Sequence, residues 1–553
     1  MRNLWTLALV VGGALTACSD HPYDPGAPAV DPNAPSVHIT TPARGAFAGD
    51  VKTLVVTGTA SDDTRVVSVQ VNGVEAALAG DGTWTATIPV APGSQLIHAV
   101  ARDTEGNVGK ESRAVVTGPL RSIAAAVPGA ITAAMSGRTF DAIGRGVTGL
   151  LTTGDLEAVI APHNPVIDVG GGPDCLYAQA SITRLSVGSA TSVTLIPQRA
   201  GLGLDVELDR VSIAMHLRYA ALCLDGSSDI TVTASHIKVS GLVAAGIRSG
   251  AFDVALTNQS VQVTGFGVDL GGLPGEVVDL LHLDSALGPI IGWATEELVV
   301  PVINTELASL DDTRTVDVLG TPVDIQVAPA RIAFDVAGAQ ITLDATLRAH
   351  GDAGSPGYVF VANQQPAAPA DRGFALAVAD DAANQLLASY WAAHGMDRSF
   401  ALTTGSYGDI GKLYDRVELS AKVPPFVDAT GGSLVLTIGD LIATFKNGDA
   451  VATAIAINAQ VDVKVVTGAD GKPRLDIGTP TTYVDVLDDN VTGANVLSNA
   501  QFEVITSFAL GRVIAVGSGS IGAIPLPSFG GVAVKGLAIA EQTGYLVIDG
   551  DLE

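Results

Sequence analysis

Four stretches of this chain, ASITRLSVGSATSVTLIP, GLGLDVELDRVSIAMHLRYAALCL, DITVTASHIKVSGLVAAGIRSG and AFDVALTNQSVQVTGFGVDL, alternate apolar and polar residues with period two. They run for roughly 10 to 20 residues, where an ordinary strand has about 5–6. Strands this long lie in strongly coiled antiparallel sheets, because twist accumulates along each strand. Against them stand a few stretches at helical spacing. The clearest is Phe374 to Gly395, where Ala383, Leu386, Leu387, Tyr390 and Trp391 share one face and Gly395 marks a stop. Met135, Ile143, Val147, Leu150 and Leu151 predict a helix over 131–151, weakened by Gly137, Gly144, Gly146 and Gly149. A third helix is expected over 274–310, with Leu280, Leu283, Leu287, Ile290, Ile291, Ala294 and Leu298 on one stripe, interrupted by Pro289 and Pro301. A fourth is expected over 496–513, with Leu497, Val504, Ile505 and Phe508. Such a chain is α+β, its twisted sheets wrapped around long helices. Apolar residues make up 47% but aromatics only 5%, so the interior must be built from Val, Ile, Leu and Ala.

The ends of the chain carry different information. Met1 to Cys18 has a positive start at Arg2, a short apolar run from Leu4 to Leu15, and small residues before the cysteine. The run is too short for a good membrane span. Leu15-Thr16-Ala17-Cys18 resembles a bacterial lipobox, which implies that residues 1–17 are a signal peptide and that Cys18 is the lipidated new N-terminus. The other reading is an ordinary signal peptide with an incidental cysteine. Two or more acyl chains hold a protein to a bilayer. Residues 18–35, rich in Pro, Asp and Ala, read as an extended tether. Ser19 resembles an outer-membrane sorting residue, so the expected location is the cell envelope, lipid-anchored, on the outer membrane. Residues 36–118 read as an all-β immunoglobulin-like sandwich, a spacer or adhesive unit. Asn72-Gly73 and Asp81-Gly82 mark its tight hairpins, and Trp84 is its natural core aromatic. Asp103, Glu105 and Asn107 read as a solvated turn or, as the alternative, a calcium loop.

After the sandwich the order helix, strands, helix, strands occurs twice, an internal duplication of architecture rather than of residues. With Cys18 taken by the signal, Cys175 and Cys223 remain as one pair, which in an exported chain reads as a disulfide. It would close a loop of about fifty residues and stabilise by about 3–4 kcal/mol.

Three segments carry a resemblance to a known family: FALAVADDAANQLLASYWAAHGM, VPPFVDATGGSLVLTIGDLIATF and PLPSFGGVAVKGLAIAEQTGYLVIDGDL. With the order of elements, they make the chain from Arg121 to Leu552 resemble the bactericidal/permeability-increasing, lipopolysaccharide-binding and lipid-transfer proteins of the tubular lipid-binding superfamily. The resemblance implies a first barrel over 119–313, a central sheet and linker over 314–370, and a second barrel over 371–553. It implies an apolar tunnel between helix and sheet that holds lipid acyl chains. Its candidate walls are Ile131, Met135, Leu280, Leu283, Leu287, Ile290 and Ile291 in the first half. In the second half they are Leu386, Leu387, Tyr390, Trp391, Val504, Ile505 and Phe508. The expected partner is a phospholipid or other acyl lipid, with no cofactor. One departure stands out: the family's lipopolysaccharide binders use a basic tip, whereas this chain has a net charge of −27 and offers there only isolated cations such as Arg184, Arg199, Arg210 and Arg218.

The same acidity argues against nucleic acid, which needs a basic footprint. No Gly-x-Ser-x-Gly elbow, HExxH or Cys/His cluster occurs, so neither a catalytic nucleophile nor a metal site is expected. The rival to lipid carriage is a structural or adhesion lipoprotein whose barrels are packed solid.

Overall fold

The computed structural model describes residues 34–154, 156–170, 176–221, 223–281, 312–318, 321–352, 354–366, 372–407, 410–429, 434–467, 473–489 and 534–552. The expected helix over 496–513 and most of that over 274–310 lie outside them; of the latter, Gly275–Leu281 is helical.

The N-terminal unit is a β sandwich. Ser36–Thr41, Thr53–Ser61, Thr83–Pro89 and Ala77–Leu78 form one sheet; Ala46–Gly49, Val108–Thr117, Gly93–Asp103, Val66–Val71 and Val74–Glu75 form the other. Period-two alternation sends Val56, Val69, Val71, Ile88 and Ile97 inward around Trp84, all buried. Asn72 and Gly73 both have positive φ, the requirement of the tight turn expected there. Asp103 is buried, and its carboxylate accepts from the backbone of Glu105 and Asn107 and from the Asn107 side chain, each at 2.8 Å. Its oxygens hold their own turn.

Beyond the sandwich, two sheets repeat one topology. In the first, Ile167–Gly170, Tyr177–Ser186, Gly201–Ala221, Leu224–Arg248 and Ala251–Thr264 follow in order; Ser192–Gln198 adds to the third of these and Gly267–Asp269 to the fourth. In the second, Arg398–Ala401, Arg416–Ala421, Leu434–Asn447, Ala450–Thr467 and Pro473–Ile477 follow in order; Phe426–Asp428 and Thr481–Asp489 add at the same two places. The duplication read from element order is therefore present in the strand pairing.

The long strands stay half-buried only by correcting their phase. Leu202, Leu204 and Val206 are buried, then Val211, Ile213, Met215 and Leu217. The change from even to odd falls at Arg210, at φ +45° and outside the pairing register. Ser235 opposite drops out of the ladder as well while the register runs on unshifted, and the partner strand changes phase at the same point, from Ile230, Val232 and Ala234 to Ile237, Val239 and Val243.

A third sheet joins the halves. Its order is Asp312–Val318, Thr321–Phe334, Gly338–Ala349, Val127–Ser136, Phe374–Ala379, Tyr545–Leu552 and Val534–Gln542, all antiparallel. It draws on both halves, well beyond residues 314–370. Val127–Ser136 and Phe374–Ala379 lie side by side at its centre, and each runs directly into a helix, Gly137–Thr153 and Asp380–Ala392 respectively. The helix expected over 131–151 is thus corrected: residues 131–136 are strand. Ile131 and Met135 at i and i+4 imitate a helical stripe, but Val127, Ile131 and Thr132 pair across the sheet. Phe140, Ile143, Val147 and Leu151 carry the true stripe and pack on the first sheet.

The sandwich is fixed to the second half. Arg44 pairs with Asp440 at 2.6 Å, Asp485 at 3.1 Å and Glu111 at 3.2 Å. Asp440 and Asp485 also accept backbone N–H groups of the sandwich, from Ala114 at 2.9 Å and Ser112 at 3.0 Å. Asp440 projects from a bulge in Leu434–Asn447, where a Cβ on the preceding Gly439 would lie 2.3 Å from Ala114. Only glycine admits that approach. The sandwich is a welded part, not a free spacer.

Candidate functional site

A cavity of about 870 Å³ opens where Val127–Ser136 becomes the first helix. Its apolar wall is Ala134, Met135, Ala333, Phe334 and Ala339; Arg138, Asp141, Arg331, Asp335 and Gln340 also line it. Ser136 N–H donates to Gly373 O at 2.8 Å, and Gly137 N–H to Ala337 O at 3.0 Å. Asp335 shapes the opposing turn by accepting from Ala337 and Gly338 N–H. Ala339 belongs to the first core, with Met135 and Phe334 packed against that core, so the wall is continuous with it. Ser136 Oγ is buried without a hydrogen-bond partner among the described residues.

The corresponding joint of the second half is closed. Asp380 N–H donates to Gly544 O at 3.0 Å, Gly544 N–H to Ala429 O at 3.2 Å, and Ala429 N–H to Asp380 Oδ2 at 2.9 Å. Asp381 accepts from Val361 N–H, and buried Tyr545 fills the space beside it. Further along, Asn384 exchanges two hydrogen bonds with the backbone of Val427, Gln385 reaches Leu347, Ile123 and Ala125, and Ser389 accepts from Ala349 N–H. The buried side of this helix is polar because it covers strand ends and loops whose backbone groups need partners.

Of the residues expected to wall a tunnel, Met135 lies in the open cavity. Ile131 packs instead with Ala382 and Ala388 beneath the second helix. Leu386 and Leu387 are half-buried. Tyr390 is buried, its hydroxyl bonded to Arg398 at 3.0 Å. Trp391 faces the sandwich: it lies 6.2 Å from the Phe47 ring and donates to Ala421 O at 2.8 Å. The Leu280 side chain, and Leu283, Leu287, Ile290, Ile291, Val504, Ile505, Phe508, Cys18 and Cys175, lie outside the described residues. Cys223, at φ +64° in the turn before Leu224–Arg248, is disulfide-bonded. Sequence reasoning missed Ala333, Phe334, Arg138 and Arg331, which meet only through the central sheet.

Burial pushes three carboxyls up, Asp380 to about 6, Asp381 to about 7, and Asp485 to about 6 despite Arg44. Each binds its proton more tightly folded than unfolded, so its contribution is complete below the ordinary carboxylate pKa of about 4 and is lost as pH rises through 6 to 7. His98 opposes this: burial pushes it down to about 4, which weakens the fold as pH falls below about 6.5. Three groups against one predict a melting temperature that falls from pH 4.5 to 7.5 at fixed salt. A melting temperature that rises across that range contradicts these assignments.

A sequence family described as glucodextranase, domain B, matches residues 35–118, the sandwich. No curated protein matches the chain. Among solved structures, a lipopolysaccharide binding protein is similar at TM-score 0.38 and 13% identity, covering 77% of this chain and 99% of that one. P47 of Clostridium botulinum E1 is similar at TM-score 0.23 and 8% identity, covering 76% and 98%. At these scores neither likeness identifies a fold.

Proposed function

We propose that this chain is a lipid-binding lipoprotein that holds an acyl chain in the cavity beside Met135 and Phe334, tethered to the outer membrane through Cys18. The open joint carries the reading. Its 870 Å³ falls within the roughly 300–1,000 Å³ usual for small-molecule sites, and its lining combines apolar residues with a few polar and charged ones. Such a site needs no reactive group. Each methylene shed from water contributes about 0.8 kcal/mol, so the tail supplies affinity and the polar residues orient the head. Arg138, Arg331, Asp141 and Asp335 offer charges of both signs, which suits a headgroup that carries both. Cys175 is the proposed partner of Cys223. Transfer between membranes is a further part of the proposal, since the tether would give the carrier reach.

The test is organic extraction of the full-length protein, purified from membranes, followed by mass spectrometry. Acyl lipid recovered in constant ratio to polypeptide supports carriage. Consistently empty protein overturns it in favour of a structural or adhesion lipoprotein, a reading that the sandwich weld and the closed second joint would then favour.

A further inference from the structure

The two halves share one strand topology but differ at the joint where strand becomes helix. We infer that each chain carries a single lipid, in the first half, and that the second half holds the sandwich in place of a second guest. The inference rests on the lipid-binding reading and adds its stoichiometry and the residues that set it.

At the first joint the chain reads Ser136-Gly137-Arg138; beyond the strand ladder that pairs Ser136 with Gly338, the facing turn accepts one backbone hydrogen bond among the described residues, Gly137 N–H to Ala337 O. At the second it reads Ala379-Asp380-Asp381, and the facing turn at Gly544 is drawn in from two sides. Gly544 accepts from Asp380 and donates to Ala429, while Asn363 presses so close that a Cβ on Gly544 would lie 2.0 Å from its Nδ2. Asp380 closes the ring by accepting from Ala429, and Asp381 ties down the segment at Val361. Both carboxylates are thus spent on backbone N–H groups that would otherwise face an opening.

The second observation is independent of the joint. The sandwich packs against the same helix, where Phe47, Ser94 and Val116 meet Asn384, Ala388 and Phe426 around a void of only about 10 Å³. That is near the size of one water and far below an alkyl tail. Trp391, on the next turn, is turned to Phe47. Asp440 and Asp485, from the second sheet, face outward to Arg44 of the sandwich. A half gripped from outside by the sandwich and sealed at its joint has the construction of a support.

Native mass spectrometry of the full-length chain, titrated with vesicles of 1-palmitoyl-2-oleoyl phosphatidylethanolamine, counts the guests. One phospholipid per chain at saturation is expected. Leu387→Trp, which adds bulk on the second helix, is expected to leave that count at one. Two per chain overturns the inference and leaves lipid binding standing. None at any concentration overturns lipid binding itself, and with it the count. A single lipid lost from the folded Leu387→Trp protein, checked by far-ultraviolet circular dichroism, places the guest in the second half and also overturns the inference.

Discussion

Arg44→Ala is expected to lower the stability of the full-length protein by roughly 3–5 kcal/mol and to free the sandwich for proteolysis. The guanidinium bridges Glu111 of its own module and two carboxylates of the second half, with Asp440 fully buried and Asp485 nearly so. Removing it leaves those acids facing one another in a low dielectric, which is the costly way to break a buried ion pair. Arg44→Lys keeps the charge but cannot reach three carboxylates with one planar fork, so it should fall between wild type and alanine. Lys52→Ala serves as the control, since its pair with Asp50 is exposed and 3.8 Å long, and such pairs contribute about 0–1 kcal/mol. The measurements are chemical denaturation and the rate of thermolysin cleavage between sandwich and second half. An Arg44→Ala protein as stable and as resistant as the Lys52→Ala protein would show that the sandwich is held by its apolar contacts alone.

Gly137→Trp is expected to abolish lipid recovery from the purified protein while leaving its melting temperature within a few degrees. Gly137 lines the cavity as the first residue of the helix, and a Cβ there would meet nothing within 4 Å. An indole there occupies room that the guest needs without displacing a packed side chain. This differs from overpacking a filled core, where inserted bulk costs about 1–3 kcal/mol. Loss of lipid with retained stability is the expected pair of results. Full lipid content in a stable Gly137→Trp protein would place the guest elsewhere.

Much of the fold was legible because it rests on periodicity. The sandwich around Trp84, the coiled strands and the helix at Asp380–Ala392 each follow from apolar spacing and turn residues, and even the phase slip at Arg210 is visible in the alternation. What was not legible depends on distance. Arg44 meets Asp440 and Asp485 across 396 and 441 residues, and nothing local marks any of the three as a partner. Arg138 and Arg331 look like scattered cations until the central sheet brings the start of the first helix beside Thr321–Phe334. The second helix misled for another reason. Its apolar stripe suggested a wall, but Asp380, Asp381, Asn384, Gln385 and Ser389 are recruited by unpaired backbone groups of the segments it covers. Periodicity reports which residues avoid water; it is blind to polar residues buried against a satisfied partner. Residues 131–136 failed on a third count, since a short apolar run fits either period until its neighbours are known.

The central claim is that a hydrocarbon tail lies against Met135 and Phe334. The most direct measurement is photocrosslinking of a diazirine-bearing palmitoyl phospholipid to the full-length protein, with adducts mapped by peptide mass spectrometry. Adducts concentrated on the peptides carrying Ala134–Arg138 and Arg331–Gln340, and competed away by unlabelled phospholipid, are predicted. Adducts scattered without competition, or confined to the sandwich or the second half, would contradict the account.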